Sequence, residues 1–296
     1  MKIFYKTFLS THVKIFPCRS DNMKKEVRTI VYDKTLRLEA YRLTGIARPF
    51  PEHFHDHYVF GLMEDGSRSL SCDGRDYIIT KGDMIIFHPY DNHACTQKGR
   101  NLLDYRGLNI PESVMLDLSE DMTGERKLPR FSKHIMSDAQ IIRSFRLLHE
   151  MIMDQEKAFV KEEKFLTVLS ALFEKYEPNF YKNIPACREE VEKACRFMEE
   201  NFSEHISLEE ISRYAGLSKS TLLRAFAKEK GITPYRYLET IRIHQAKQML
   251  GEGMAPAEVA IKTGFSDQSH FTNYFSRLIG VAPGAYRGIY KRKEGK

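Results

Sequence analysis

An internal repeat near the C-terminus constrains the fold of this chain more than any other feature. Residues 215–218 read AGLS, and residues 263–266, 48 positions later, read TGFS. Phe226 and Phe275 then occupy equivalent places 49 positions apart. A glycine at the shared position permits the left-handed backbone that the turn between two crossed helices needs. The repeat therefore predicts an all-α domain with two helix-turn-helix units.

Signals for helix ends agree with this prediction. Ser207 and Glu210 have the spacing of a capping box, in which each side chain bonds an exposed backbone N–H of the first turn. Thr233 and Pro234 begin a longer helix, because proline lacks only an N–H that the first turn leaves unused. We expect this helix to end at Gly251 and to join the two helix-turn-helix repeats.

The helix after each turn presents side chains that can meet the edges of DNA bases. Phe271 and Phe275 are expected to hold the second of these helices, 266–275, on its core. Its other face is small and polar, which suits a major groove. The predicted DNA-binding residues are Lys219, Ser220, Thr221, Leu223 and Arg224 in the first repeat and Gln268, Ser269, His270, Thr272 and Asn273 in the second repeat.

The segment 36–110 has a different pattern, in which short strands are separated by turns. Residues 36–43 alternate apolar and polar side chains, as a half-buried strand does. Asp73 and Gly74 mark a tight hairpin between two such runs. Many short strands at regular spacing predict a sandwich or a barrel.

Three motifs in this segment carry a resemblance to a known domain. They are HFHDH at 53–57, GD at 82–83 and PYDNH at 89–93. Through them the segment resembles the cupin-like ligand-binding domain of many bacterial regulators. The resemblance implies a jelly roll whose mouth can hold a small molecule.

Four histidines in this segment have two interpretations. His53, His55 and His57 alternate, so on one strand they would face one side, where His93 could join them. Converging imidazoles can hold a metal, and His55, His57 and His93 are the candidates for that role. Metal-binding cupins add a glutamate a few residues after the paired histidines, and this chain has none there. We therefore expect all four histidines to line an effector pocket, with no metal and no cofactor.

Helical periodicity replaces the strand pattern after Pro129. The run 161–176 is strongly amphipathic, with Lys161 and Glu163 on its polar side. Such a helix either packs on the sheet of its own domain or forms the seam of a two-fold dimer. A homodimer is expected, because linking two DNA sites raises affinity. Residues 178–186 contain two prolines and no periodicity, which predicts a linker.

A longer motif surrounds the second repeat. It reads GFSDQSHF at 264–271, continues through Phe275, and ends with GVAPGAYR at 280–287. Residues from about 187 to 287 thereby resemble the DNA-binding domain of the AraC/XylS family of bacterial transcription regulators. The resemblance implies that both recognition helices enter adjacent major grooves on one face of DNA. It makes base-reading candidates of Ser220, Leu223 and Arg224 in the first helix and of Gln268, Ser269, Thr272 and Asn273, with His270 beside them, in the second.

Composition narrows the class of protein. A chain of 296 residues is long enough for two cores, and no run of eighteen apolar residues predicts a membrane span. The net charge of +6 suits a nucleic-acid partner. Five cysteines without a CxxC pattern predict a reducing compartment, here the cytoplasm. The expected divisions are an extension at 1–25 with Met23 as the natural start, a ligand-binding and dimerisation domain at 26–177, the linker at 178–186, a DNA-binding domain at 187–288 and a basic tail at 289–296.

The predicted fold class is α+β with two domains. A cupin-like jelly-roll barrel with flanking helices precedes an all-α domain with two helix-turn-helix units. The predicted function is a sequence-specific transcription regulator, not an enzyme, controlled by a small-molecule effector in the first domain. Its expected partners are double-stranded DNA, the effector, a second copy of the chain and, for an activator, RNA polymerase, but no membrane. The alternatives are a metal-dependent cupin enzyme fused to a DNA-binding module, and a constitutive DNA-binding protein whose sheet domain only dimerises.

Overall fold

The structure, a computed structural model, describes residues 26–99, 101–177 and 187–291, together with the backbone of residues 14 and 15. It contains two compact units, residues 1–182 and 183–296. The predicted linker lies outside the described residues, as do the rest of the N-terminal extension and the end of the basic tail from residue 292. No described helix is long and apolar enough to cross a membrane.

The first unit contains two antiparallel sheets. Its strands are β1 (Lys14–Ile15), β2 (Val27–Asp33), β3 (Leu38–Ile46), β4 (Phe50–His53), β5 (His57–Asp65), β6 (Ser67–Cys72), β7 (Arg75–Thr80), β8 (Met84–Phe87), β9 (His93–Gln97), β10 (Leu103–Pro111) and β11 (Ile135–Met136). The larger sheet has the order β1-β2-β3-β10-β5-β8-β11, and the smaller has the order β4-β9-β6-β7. The predicted domain of many short strands is confirmed, although the sequence pattern did not reveal β1, β2, β4 and β11.

The middle of the larger sheet, at β5 and β8, is apolar on both faces. Strand β5 is buried from Tyr58 to Met63, and all four residues of β8 are buried. Since successive side chains of a strand point to opposite faces, both faces of this sheet must be covered. The smaller sheet covers one face, and the shared core there includes Leu43 and Val59 from the larger sheet and Leu70 and Ile79 from the smaller one.

Helices lie against the larger sheet. They are α1 (Glu112–Thr123), α2 (Ala139–Met153) and α3 (Ala158–Tyr176). Helix α2 contacts β2, β3 and β10, and α3 packs on α2. The apolar side of α3 is buried within this chain, with Leu166 and Leu169 at 2% and 1% exposure. This favours packing within its own domain over the predicted dimer seam.

The polar side predicted for this helix is wrong at two positions. Lys161 and Glu163 are both buried. The Lys161 ammonium forms an ion pair with the buried Asp33 carboxylate of β2. The pair satisfies the lysine inside the fold, because it places an opposite charge against the ammonium. Sequence periodicity cannot detect a partner that lies so far away in the chain.

The second unit is all-helical, as predicted. Its helices are α4 (Arg188–Glu200), α5 (Leu208–Ala215), α6 (Lys219–Lys230), α7 (Pro234–Gly251), α8 (Pro256–Lys262), α9 (Gln268–Ile279) and α10 (Pro283–Lys291). The capping box at Ser207 and Glu210 is present with both hydrogen bonds. The turn glycines Gly216 and Gly264 both have a φ of 74°, in the left-handed region. The local predictions for the two repeats are therefore confirmed.

Arg242 of α7, the helix between the two repeats, forms two hydrogen bonds with the loop after α4. Its Nε donates to the Phe202 carbonyl oxygen and its Nη2 to the Glu204 carbonyl oxygen, each at 2.8 Å. Gly264 lies against the same loop: a Cβ there would be 2.8 Å from the Phe202 oxygen and 2.9 Å from Arg242 Nη2. The two repeats thus meet through a backbone approach that only glycine allows.

Substituting the two turn glycines should give unequal losses of stability. Gly216→Ala imposes left-handed strain of about 1–2 kcal/mol, and nothing lies within 4 Å of its new Cβ. Gly264→Ala imposes the same strain and forces a methyl group onto backbone atoms, which should cost about 1–3 kcal/mol more. Urea unfolding of both variants measures the difference. Equal losses would show that the loop contact contributes nothing.

Stability should fall as the pH is lowered from about 6.5 towards 4. Burial lowers the pKa of His149, which is fully buried on α2, from 6.5 to about 4. The unfolded chain therefore binds a proton in this range before the folded chain does, and folding loses up to about 1.4 kcal/mol per pH unit. His149→Gln keeps a donor for the Tyr41 carbonyl oxygen that His149 Nε2 now bonds.

Urea unfolding at several pH values tests this expectation. The free energy of unfolding should depend less on pH in His149→Gln than in the wild type between pH 4 and 6.5. The exposed His205 provides the control, since His205→Gln should keep the wild-type slope. An unchanged slope in His149→Gln would contradict the assignment.

Candidate functional site

A cavity of about 290 Å³ lies between the two sheets of the first unit. Side chains of both sheets line it, and most of them are apolar. The apolar wall includes Leu43, Val59, Met63, Ile79, Ile85 and Phe87. A concave, largely apolar space with a few polar groups is the usual form of a small-molecule site.

Two tyrosines form a polar pair in this wall. Gly107 of β10 pairs with Tyr41 of β3 on one side and with Gly61 of β5 on the other. The Tyr41 ring covers Gly107, and the Tyr105 ring covers Gly61, so a Cβ at either glycine would overlap a tyrosine. The two ring centroids are 6.0 Å apart, and the ring planes are tilted by 35°. Burial raises the pKa of both tyrosines, so both stay protonated and can offer hydroxyl groups to a ligand.

Three histidines converge at another part of the cavity. The ring centroids of His53 and His55 are 4.8 Å apart, those of His53 and His93 are 4.4 Å apart, and those of His55 and His93 are 5.2 Å apart. All three residues line the cavity. His93 also stacks on Phe87, with centroids 3.8 Å apart and planes within 10°. This stacking holds the His93 ring in one orientation.

Backbone carbonyls select the tautomers of two of these rings. His53 Nδ1 is 2.6 Å from the Pro51 carbonyl oxygen, and His93 Nδ1 is 2.9 Å from the Asp91 carbonyl oxygen. A carbonyl oxygen can only accept, so both Nδ1 atoms carry the proton. In the neutral ring the lone pair then lies on Nε2.

The histidine cluster disfavours positive charge. Burial, followed by the neighbouring His57, His93 and His53, lowers the pKa of His55 to about 4. Burial also lowers the pKa of His93. Both rings are therefore neutral near pH 7, and they can accept hydrogen bonds or donate lone pairs.

The placement predicted for His57 is wrong. The stretch 53–57 is not one strand, because the smaller sheet ends its strand at His53 and the larger sheet begins β5 at His57. The alternation rule fails where the chain passes between sheets. His57 Nδ1 bonds the Asp56 carboxylate at 2.8 Å, and His57 is not among the residues that line the cavity. His53, His55 and His93 line the cavity, where an effector could contact them, whereas His57 does not.

In the second unit, α9 has the polar face that its sequence indicates. Phe271 and Phe275 are wholly buried, and Asp267 caps the helix by accepting from the His270 N–H at 2.7 Å. The predicted DNA-binding residues of this helix are exposed or partly exposed: Gln268, Ser269, His270, Thr272 and Asn273. Arg277, one turn after Asn273, extends this face and is exposed. Its i+4 spacing could have been recognised in the sequence.

Helix α6 differs from the prediction. Ser220 and Leu223, which we expected to face outward, are 0% and 7% exposed. The apolar sequence around Leu222 and Phe226 gives this helix a buried side wide enough to include both positions. Lys219, Thr221 and Arg224 remain partly exposed, and Lys228, one turn beyond Arg224, is exposed. The accessible side of α6 therefore includes fewer of the predicted positions than expected, and a larger share of its residues are basic.

Comparison with known families agrees with both units. The family "AraC-like ligand binding domain" matches residues 36–169, and the family "Helix-turn-helix domain" matches residues 211–289. The first match contains all the residues that line the cavity except Arg28 and Ile30, and the second contains both turn glycines.

Full-length relatives cover most of the chain. The HTH-type transcriptional regulator YbfI of Bacillus subtilis (strain 168) is 43% identical over 249 residues, which are 84% of this chain and 90% of that protein. The HTH-type transcriptional activator RhaS of Escherichia coli O81 (strain ED1a) is 24% identical over 255 residues, 83% of this chain and 89% of that protein.

Solved structures of other proteins also match this chain. The DNA-binding domain of AdpA, in complex with a target DNA, is 27% identical, with 36% of this chain and 96% of that chain covered and a TM-score of 0.34. A single-residue variant of ToxT from Vibrio cholerae, in its apo form, is 16% identical, with 85% and 96% covered and a TM-score of 0.38. On the full-length identity to YbfI and the matches of both domains, this chain belongs to the AraC family of transcription regulators, with a ligand-binding domain followed by a helix-turn-helix DNA-binding domain.

Proposed function

We propose that the cavity between the two sheets is the effector site of this regulator, and that its occupancy controls DNA binding by the second unit. The observation that carries the proposal is the cavity itself. It lies within the domain that matches the ligand-binding family and combines an apolar wall with polar groups. The relatives named above are transcription regulators, so the alternative of a cupin enzyme has no support.

The cavity favours a small ligand with a compact apolar body. Its volume of about 290 Å³ is at the lower end of the range of roughly 300–1,000 Å³ for ligand pockets. Polar groups at its wall are the neutral rings of His55 and His93, the ring of His53, the two tyrosine hydroxyls and the side chains of Arg28 and Asn109. Neutral imidazoles accept and tyrosine hydroxyls donate, so hydroxyl or carbonyl groups of the ligand would find partners.

Blocking the cavity should abolish effector binding without changing the fold. Ile85 of β8 lines the cavity, and its neighbour Ile86 is buried but does not line it. Ile85→Phe fills part of the space, whereas Ile86→Val changes a core position outside it. A thermal-shift screen of the full chain with a panel of sugars, polyols and short-chain carboxylic acids identifies ligands of the wild type, because a bound ligand stabilises the fold by mass action.

The expected result is a ligand-induced rise in Tm that Ile86→Val retains and Ile85→Phe loses. Both variants should give the far-ultraviolet circular dichroism of the wild type. A ligand that stabilises the wild type and Ile85→Phe equally would place its site outside this cavity and contradict the proposal.

For DNA reading we propose that both recognition helices contact adjacent major grooves, with α7 as the spacer. This helix has 18 residues and is therefore roughly 27 Å long, and successive grooves on one face are roughly 34 Å apart. The candidate contacts are Lys219, Thr221, Arg224, Gln268, Ser269, His270, Thr272 and Asn273. Ser220 and Leu223 would have to become exposed before they could join this set, since both are buried.

A homodimer is part of this proposal. Two linked copies can hold two DNA sites and gain affinity without new contacts. The apolar side of α3 is buried within the chain, so the dimer would use another surface. An activator would also contact RNA polymerase. RhaS is named a transcriptional activator, which makes this role worth testing by transcription in vitro.

Removing one polar side chain from α9 should reduce DNA specificity. Asn273 is exposed on the polar face, and an asparagine can form a bidentate pair with adenine. Asn273→Ala should weaken binding to a site selected from random DNA by about 1–3 kcal/mol and leave binding to unrelated DNA almost unchanged. Fluorescence anisotropy with the two duplexes measures both affinities.

Leu278 provides a matched control on the same helix. Its side chain is 47% exposed and lies away from the polar face, so Leu278→Ala should retain the wild-type preference. If Asn273→Ala weakens binding to both duplexes equally, the residue does not read a base and contacts the DNA backbone instead.

A further inference from the structure

We propose that His53, His55 and His93 bind one divalent transition-metal ion in the wall of the cavity. One potential ligand atom from each of these residues lies within 4.8 Å of the other two. The set differs from the one that the sequence suggested, because His53 replaces His57. The inference rests on this geometry and is independent of how the second unit reads DNA.

The ring separations match those of three imidazoles on one ion. The centroid of an imidazole bound through Nε2 lies roughly 3.2 Å from the metal, so rings at octahedral or tetrahedral angles have centroids roughly 4.5–5.2 Å apart. The observed separations are 4.4, 4.8 and 5.2 Å. The rings are tilted by 53°, 87° and 43° rather than stacked. Each ring can therefore direct an edge towards a common point.

Neighbouring groups fix the tautomer or the orientation of two of these rings in a way that suits metal binding. The carbonyl oxygens of Pro51 and Asp91 accept from Nδ1 of His53 and His93, which leaves Nε2 as the ligand atom. Such outer hydrogen bonds fix the tautomer and the ring orientation of metal-bound histidines. The stack of His93 on Phe87 adds a second restraint. Two of the three ligands thus have their orientation set before any ion arrives.

Among the residues that the structure describes, no carboxylate joins this set. The positions four and five residues after His55 hold Val59 and Phe60, and Gly61 is covered by the Tyr105 ring. An ion would therefore have three nitrogen ligands and coordination positions open to the cavity. Imidazole ligands suit zinc, iron, nickel or copper, whereas magnesium and calcium prefer oxygen. We therefore expect a divalent first-row transition-metal ion that suits imidazole ligands, such as Zn²⁺.

A second group of potential ligands is less suitable. It comprises Cys72, Asp73, Asp91 and His134. The Asp91 carboxylate already accepts from the backbone N–H of His88 at 2.7 Å and bonds His88 Nδ1 at 2.9 Å. His134 Nδ1 bonds the Ile86 carbonyl oxygen at 3.0 Å. These side chains have partners within the fold, so His134 can serve as a control.

The test is direct metal binding by the purified full chain. The protein is stripped with a chelator and titrated with Zn²⁺ or Co²⁺ by calorimetry, while the visible absorption of Co²⁺ reports its ligands. We expect one ion per chain and no binding of Mg²⁺. His53→Ala and His55→Ala should each lower the affinity for Zn²⁺ at least tenfold. Both residues are only partly buried, and circular dichroism checks that the variants fold.

His57→Ala and His134→Ala are the matched controls, and both should bind Zn²⁺ as the wild type does. The proposal is overturned if the wild type binds no stoichiometric ion. It is also overturned if His53→Ala and His55→Ala retain wild-type affinity, or if only His134→Ala loses it. Because metal is measured directly, each of these results leaves the effector and DNA proposals to their own tests.

Discussion

The middle of the larger sheet of the first unit is apolar on both faces, and the rest of that unit follows from this constraint. Strands β5 and β8 expose almost nothing, so water has to be excluded from both sides of the sheet. Helix α2, with α3 packed on it, covers one side, and the smaller sheet covers the other. Burial of this kind supplies most of the free energy that stabilises a fold. The cavity is the part of the covered face that protein side chains leave unfilled.

Several polar side chains lie in the wall of this apolar space. Tyr41 and Tyr105 lie over glycines of the neighbouring strands, with ring centroids 6.0 Å apart. His53 and His93 each donate one ring N–H to the carbonyl oxygen of the residue two positions earlier in the chain. A buried polar group without a partner costs free energy, so each partner keeps one atom satisfied and leaves another available. The same arrangement serves an effector with hydroxyl groups and an ion bound by the imidazoles.

The second unit combines an apolar core with a close approach between backbones. Gly264 packs against the loop that carries Phe202, and Arg242 bonds two carbonyl oxygens of that loop. These contacts join the second repeat to the first through the spacer helix α7. A fixed spacing between two reading helices is useful on DNA, because adjacent grooves recur at a fixed distance. The turn glycine thus contributes to the packing between the two repeats as well as to the turn.

The sequence by itself determined the features that depend on local conformation. The left-handed glycines, the capping box at Ser207 and the buried Phe271 and Phe275 follow from backbone preferences and from a period of 3.6 residues, so they could be predicted. Tertiary structure decided the features that depend on distant neighbours. His53 joins the cluster and His57 does not, because the chain changes sheets between them. Lys161 and Glu163 of α3 and Ser220 and Leu223 of α6 are also buried, because neighbouring elements pack against sides of these helices that were expected to be exposed. Periodicity indicates which side of an element is apolar, but only the packed fold shows what covers the other side.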